Sequence, residues 1–229
     1  MTIYHLHISN GSKAQGKSAA TRFDYVTRQQ AFKKNTQECI FSESKNLPSW
    51  ASSERDFWSA SDRFERTNAR VYKEVEFALP RELHTQDRIA LARDFARDLT
   101  HQHGLPYTLA IHDGKGTNPH AHLMICERGF DGIERSRDTF FKRANTKSPH
   151  DGGAAKVREL NHKQWVHEVR EQWAVSANVA LEQHRHPQRI DHRSYEVRGI
   201  DITPQIHLGV QASAMARRGI TTERLEHFQ

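Results

Sequence analysis

The chain has 229 residues, with 34 Lys and Arg against 28 Asp and Glu, and this formal net charge of +6 favours a polyanionic partner such as nucleic acid. The length is enough for one domain with its own core, and two cysteines, Cys39 and Cys126, are too few for a disulfide scaffold. The mean hydropathy of −0.83 and the lack of any apolar run of about 18 residues exclude a membrane-spanning protein, so we expect no membrane insertion and a cytoplasmic, bacterial location.

Hydrophobic periodicity predicts strands and helices in alternation. In chain order we expect a strand at 2–8, a helix from Ser18 to about Phe32, an irregular stretch at 35–50, a helix at about 51–69, a strand at 71–79, a helix from about 85 to Gly104, strands at 107–112 and 121–126, a mobile loop region at 130–158, a helix at about 160–185 and a basic tail from about 187. The turn-forming DGKGTNP makes the third and fourth strands a hairpin. The fold class is therefore α+β, a single domain over 1–229 with an antiparallel sheet and helices packed on one face.

Three histidines surround this hairpin, His112 before the turn and His120 and His122 after it. Strand residues at i and i+2 point to the same face, and a hairpin places the end of one strand beside the start of the next. We therefore expect three imidazoles on one face, as a metal site with coordination positions left open. The alternative is scattered histidines in a chain that has 16 of them.

Two carboxylates follow the same spacing on the strand before. Glu74 and Glu76 share a face, opposite Val75 and Phe77. If this strand joins the same sheet, either carboxylate can orient an imidazole or accept a proton. The alternative is an ordinary solvated strand face.

Tyr25 is the candidate nucleophile. It lies off the apolar stripe of the first predicted helix and has Arg22 and Arg28 at helical spacing. Two guanidiniums beside a phenol suit attack on a phosphodiester, because they bind phosphate and favour phenolate. The alternative is an exposed amphipathic tyrosine.

Residues 11–18 (GSKAQGKS) match the phosphate-binding pattern G-x-x-x-x-G-K-[ST], between a predicted strand and a predicted helix. A P-loop nucleotidase is therefore an alternative function. The strand that precedes a P-loop is normally buried on both faces and continuously apolar. In the first predicted strand here, polar and apolar residues alternate, with His5 and His7 as polar members. The loop could instead hold a DNA phosphate at the helix N-terminus.

Together these residues resemble a known family. The motifs that carry the likeness are IYHL, GKSA leading to DYVTR, VYKEVEFALP, LPYTLAIH, NPHAHLMICER, DGIER, IDHRS and HLG. They resemble the MobA/MobL (MobQ-type) relaxases of mobilisable plasmids, close to those of IncQ plasmids, which are HUH endonucleases. The resemblance implies an HUH relaxase-like sandwich that nicks one DNA strand at an origin of transfer, holds its 5′ phosphate on a tyrosine and later religates it.

By position, the resemblance makes Tyr25 the nucleophile and His112, His120 and His122 the metal ligands, with Glu74 and Glu76 as an acidic strand segment. Many relatives have a second active-site tyrosine near the first, but no tyrosine lies between Tyr25 and Tyr72 here, which implies a single-tyrosine mechanism.

The implied cofactor is a divalent metal, Mn²⁺ or Mg²⁺ above Zn²⁺. The implied partners are single-stranded DNA at the origin, accessory mobilisation proteins and a coupling or secretion system. The expected DNA-binding residues are Lys13, Lys17, Arg22, Arg28, Lys142 and Arg143, with the stretch 184–193. A non-catalytic DNA-binding module with a structural metal is the other alternative.

Overall fold

The computed structural model describes residues 4–113, 118–201, 215–216 and 218–221. The chain divides into two compact units, Met1–Asp191 and His192–Gln229. In the second unit, the described part contains a turn in which the Arg198 amide donates to the Tyr195 carbonyl at 3.1 Å. Most of the basic tail, the HLG motif and the loop residues 114–117 lie outside the described residues.

Five strands and five α-helices make up the first unit. They are β1 (Leu6–Ser12), α1 (Ala19–Val26), β2 (Cys39–Lys45), α2 (Glu54–Phe64), β3 (Arg70–Ala78), α3 (Thr85–Thr100), β4 (Tyr107–His112), β5 (His120–Ile125), α4 (Arg137–Phe140) and α5 (Lys163–Gln183). The strands form one sheet in the order β1-β3-β5-β4-β2, and every neighbouring pair is antiparallel. The predicted α+β class and antiparallel sheet are confirmed.

Strand β2 corrects the expectation that residues 35–50 are irregular. It pairs with β4 at the edge of the sheet, and its register shifts between Cys39 and Phe41. A sequence such as CIFSESK has little apolar content of its own, so its extended conformation depends on hydrogen bonds to β4.

Helices cover both faces of the sheet, whereas one helical layer was expected. On one face, α3 and α5 bury Phe95 and Trp173 against apolar strand side chains such as Phe77 and Leu123. On the other, α1 and α2 form a second core around Trp58. The strand residues of this second core are Val71, Tyr72, Ala110 and Met124, and Cys126 joins it directly after β5. The face of the sheet that carries the histidines at one end of the strands is thus apolar farther along the same strands.

Buried arginines tie down the segment after β5. The Arg128 side chain is buried, pairs with Glu65 and donates to the carbonyls of Phe141 and Lys142. Arg135 donates to the Gly152 carbonyl at 2.9 Å. The predicted mobility of residues 130–158 stays a prediction, but these contacts anchor the segment to α2.

Among the described residues, no helix is both long enough and apolar enough to cross a bilayer.

Candidate metal centre and nucleophile

The three histidines meet at one end of the β4–β5 hairpin. His112 pairs with His120 across the two strands, and Ala110 pairs with His122. The ring centroids are 5.2 Å apart for His112 and His120, 4.8 Å for His112 and His122, and 5.1 Å for His120 and His122. One nitrogen of each ring lies within 4.8 Å of the others, so the cluster has the composition and size of a metal site.

Hydrogen bonds at Nδ1 orient two of the rings. His122 Nδ1 donates to Glu74 Oε1 at 3.0 Å, and His120 Nδ1 donates to the Asn118 carbonyl at 2.8 Å. A donating Nδ1 leaves the lone pair on Nε2. His122 Nε2 is buried and has no hydrogen-bond partner among the described residues. A buried nitrogen with a free lone pair is what a bound cation would satisfy.

His112 is held differently. Its Nε2 donates to the Val26 carbonyl at 2.6 Å, and its Nδ1 accepts from Arg28 Nη2 at 3.4 Å. Its lone pair therefore lies on Nδ1, and a backbone carbonyl on the second nitrogen is a common support for a metal-ligating histidine. A cation held by Nδ1 here would displace the Arg28 contact.

Burial favours the neutral form of two of these rings, those of His112 and His120. Burial lowers the pKa of His112 to about 3, although the bond to Val26 opposes the shift, and burial also lowers the pKa of His120. Neutral imidazole is the form that binds metal, and the donors suit a divalent ion. Ligand nitrogens around one ion stand about 3.4 Å apart for bonds near 2.1 Å, so the rings need only close slightly from their present separation. The residues fit the metal that the resemblance implies.

The two carboxylates of β3 have different roles in this geometry. Glu74 is buried and accepts from Arg22 through Nε at 2.9 Å and Nη2 at 2.5 Å. Burial alone would raise the pKa of Glu74, but the bonds from His122 and Arg22 outweigh it and lower that pKa. Glu76 is 34% exposed and lies 3.8 Å from His122 Nδ1. Glu74 is therefore the carboxylate that orients His122.

Tyr25 lies half-buried beside the histidines. Its ring centroid is 6.3 Å from that of His122. Arg22 and Arg28 flank the ring, with their guanidinium carbons 4.7 and 4.5 Å from its centroid. The phenol and the imidazoles thus come together from α1, β4 and β5.

Sequence analysis missed one neighbour of Tyr25 and one of Arg28. Phe32 packs edge-on against the Tyr25 ring at 5.4 Å, and Glu38 pairs with Arg28 at 2.9 Å. Both follow an early end of α1 at Val26, where a helix to about Phe32 was predicted. No glycine marks this end, so nothing in the local sequence indicated that the chain turns back over Tyr25.

The phosphate-binding pattern has another structural role. The amides of Ala19 and Ala20, at the start of α1, donate to the Asp62 carboxylate at 2.7 and 2.9 Å. An internal anion therefore occupies the helix N-terminus that a phosphate would need. Gly11 faces Tyr72, whose ring would lie 2.1 Å from an added Cβ atom. The antiparallel sheet and this carboxylate argue against a P-loop nucleotidase and against a phosphate at this helix end.

The expected DNA-binding residues divide into two groups. Arg22 and Arg28 lie in the cluster. Lys13 follows the end of β1 that lies farthest from the histidines, and its side chain donates to the Glu65 carbonyl at 2.8 Å. Lys17 is exposed near the start of α1. Exposed side chains also extend from Lys142 and Arg143, and Lys142 pairs with Asp138 at 3.0 Å. The structure brings none of these last four into contact with the histidines.

The chain is similar to one protein family and to several known proteins. Residues 8–218 match the MobA/MobL family. The chain is 47% identical to Mobilization protein A of Escherichia coli over 226 residues, which are 99% of this chain and 32% of that protein. It is 38% identical to the 43 kDa relaxation protein of Salmonella typhimurium over 215 residues, which are 88% of this chain and 56% of that protein. The chain thus spans between a third and somewhat over half of these relatives' length.

A solved structure described as "Molecular Basis of Vancomycin Resistance Transfer in Staphylococcus aureus" superposes with a TM-score of 0.66 at 29% identity, covering 85% of this chain and 100% of that chain. The family match extends over all five strands except the first two residues of β1, and over the whole histidine cluster. The chain belongs to the MobA/MobL family, as its sequence motifs predicted.

Proposed function

We propose that this chain is a relaxase domain that nicks single-stranded DNA at a plasmid origin of transfer, using Tyr25 as nucleophile and a divalent metal at the three histidines. The observation that carries the proposal is the unpartnered, buried Nε2 of His122, in a cluster whose nitrogens face one another next to the Tyr25 ring. Its relatives are named mobilization and relaxation proteins, which supports the same role.

The reaction is a transesterification. The Tyr25 hydroxyl oxygen bonds to the scissile phosphorus, and the bond from phosphorus to the 3′ oxygen breaks. The phenol loses its proton and the leaving 3′ oxygen gains one, so no proton is gained or lost overall. One phosphodiester replaces another of similar energy, so the step is reversible and the same site can religate the strand. No nucleotide triphosphate is consumed.

The surrounding residues have separate tasks in this scheme. A bound metal supplies Lewis-acid stabilisation of charge on the phosphate. His112, His120 and His122 would hold it, and Glu74 keeps the His122 lone pair directed inward. Arg22 uses Nε and Nη2 on Glu74, so its Nη1 is the atom that can reach a phosphate oxygen. Mn²⁺ or Mg²⁺ is the proposed ion.

The proposed partners follow from the family. They are single-stranded DNA at the origin, accessory mobilisation proteins and a coupling or secretion system. Single-stranded DNA binds through cations along its backbone and through base stacking. Lys13, Lys17, Lys142 and Arg143 remain proposed contacts for DNA that extends away from the nick, because their side chains lie outside the cluster and are exposed, or half-buried in Lys13.

The test is covalent capture of a labelled single strand that carries the plasmid's own origin, in Mn²⁺, on a denaturing gel. Wild-type protein should form a band that carries the 3′-labelled downstream product, and the band should disappear with chelator and in Tyr25→Phe. Tyr4→Phe is the matched control, because Tyr4 is also half-buried but its hydroxyl donates to the Arg170 carbonyl on the α5 side.

Two further variants separate the alternatives. His120→Ala should abolish the band while DNA affinity, measured by fluorescence anisotropy, stays within about threefold. Lys17→Ala should still form the band, with at most a modest loss of DNA affinity, whereas a P-loop nucleotidase would lose its activity. DNA binding without any band in the wild type would instead favour a non-catalytic DNA-binding module with a structural metal.

A further inference from the structure

Helix α1 ends in an unusual way just after Tyr25. The Gln29 amide donates to the Asp24 carbonyl at 2.8 Å and the Arg28 amide donates to the Tyr25 carbonyl at 3.3 Å. This is a Schellman ending, in which glycine normally adopts the left-handed conformation. Here Arg28 adopts it, with φ of 54°, and Gln30 follows at 49°. Each non-glycine residue in this conformation costs about 1–2 kcal/mol, so other contacts must hold the turn.

The turn brings the chain back over the Tyr25 ring. Phe32 meets that ring edge-on, with centroids 5.4 Å apart and planes at 86°, and its one described aromatic ring contact is with Tyr25. The His122 ring also neighbours the phenol, with ring centroids 6.3 Å apart and planes at 77°. Tyr25 therefore has an aromatic neighbour on the cluster side and another on the side of the turn.

We propose that Phe32 is a positioning residue that holds the Tyr25 ring beside the histidines, an inference that rests on the proposed nicking function. A tyrosine side chain moves its hydroxyl by rotation at χ1, and a neighbouring ring restricts that rotation. Arg22 and Arg28 lie over the Tyr25 ring, and their guanidinium groups are held by Glu74 and Glu38. The apolar, edge-on contact with the ring is made by Phe32. In-line attack needs the Tyr25 hydroxyl oxygen within a narrow range of distances from the scissile phosphorus. A displacement of about 1 Å can lower the rate by about 100-fold.

The experiment measures three quantities for each variant. They are the single-turnover rate of adduct formation at saturating DNA, the DNA affinity and the Mn²⁺ affinity by calorimetry. Phe32→Ala should slow adduct formation by about 10- to 100-fold while both affinities stay within threefold. Phe32→Trp keeps an aromatic ring at a half-exposed position and should recover most of the rate.

A control and a spectroscopic measurement separate positioning from general destabilisation. Phe64→Ala removes another half-buried phenylalanine from the same helical layer, away from the Tyr25 ring contacts, and should leave the rate within threefold. Protein labelled with 3-fluorotyrosine reports the ring directly, with the Tyr25 resonance assigned by its loss in Tyr25→Phe. That resonance should shift or broaden in Phe32→Ala and not in Phe64→Ala.

Each outcome has one reading. An unchanged rate and an unchanged Tyr25 resonance in Phe32→Ala overturn the inference, as does an equal slowing in Phe64→Ala. A loss of DNA affinity that accounts for the slower rate also overturns it, because Phe32 would then contact DNA. If wild-type protein forms no adduct, the proposed function fails, and the fluorine resonance still decides whether Phe32 positions the ring.

Discussion

Replacing Glu74 by Gln tests how the histidine cluster is supported. The carboxylate is 5% exposed, and it accepts two bonds from Arg22 and one from His122. Loss of one charge from a buried pair costs about 3–5 kcal/mol, but the Arg22 side chain is 25% exposed and can turn partly to water. We therefore expect Glu74→Gln to lower the free energy of unfolding by about 2–3 kcal/mol.

The same substitution should weaken metal binding. Carboxylates that orient a ligating histidine contribute about 10- to 100-fold to metal affinity. Titration calorimetry with Mn²⁺ at pH 7.5 measures this loss, and urea unfolding of the metal-free protein measures the stability. Glu76→Gln is the matched comparison on the same strand, because its carboxylate is 34% exposed and 3.8 Å from His122 Nδ1. It should change Mn²⁺ affinity by less than about threefold.

The result that would refute this reasoning is a reversed order. If Glu76→Gln lost Mn²⁺ affinity and Glu74→Gln kept it, then Glu76 would be the supporting carboxylate. Unchanged stability in Glu74→Gln would show that the Arg22 pair contributes nothing to the fold.

Substitutions at three other positions test separate parts of the structure. The pKa of His112 is lowered to about 3, so near pH 6.5 the unfolded chain binds a proton that the folded ring does not bind. The stability that the neutral His112 ring contributes is complete above pH 6.5 and is lost as the pH falls toward 3, by about 2 kcal/mol between pH 7 and pH 5. Urea unfolding of the metal-free His112→Gln protein should therefore lack this part of the pH dependence. Arg128→Met leaves the buried Glu65 carboxylate without its bidentate partner and should cost about 3–5 kcal/mol in urea unfolding, and a loss below 1 kcal/mol would contradict the role given to that pair. Arg28→Gly should be more stable than Arg28→Ala by about 1 kcal/mol in the same assay, because only the backbone conformation separates them, while equal stabilities would contradict a left-handed residue 28.

The histidine cluster could be predicted because it depends only on local rules. Alternation along a strand places His120 and His122 on one face, and a short hairpin brings His112 to them. Hydrophobic periodicity located β3, β4 and β5, whereas the strand predicted at 2–8 overlaps β1 (Leu6–Ser12) only at residues 6–8. Strand β2 escaped because CIFSESK has no clear apolar period, and its conformation comes from pairing with residues 62 or more positions away in sequence, as between Lys45 and Tyr107.

The second helical layer was hidden for a related reason. All six residues of β4 are buried, so no alternation distinguishes a core face from a polar face there. The contact of Asp62 with the start of α1 joins segments that are far apart in the chain. The contact of Glu38 with Arg28 follows a turn that no glycine marks. Such contacts depend on tertiary packing, which short-range patterns do not encode.

Helix α1 is where the two halves of the proposed site are joined. Its N-terminal amides are held by Asp62, which is on α2, and the carbonyl of Val26 at its other end accepts from His112 Nε2 at 2.6 Å. Val26 follows Tyr25 directly, so one hydrogen bond links the backbone beside the phenol to a ring of the metal centre. Any displacement of α1 must therefore stretch that bond or move the His112 ring with it. Tyr25 and the histidines come from different parts of the chain, and this hydrogen bond couples the position of α1 to the His112 ring, which suits the proposed attack at a single phosphorus.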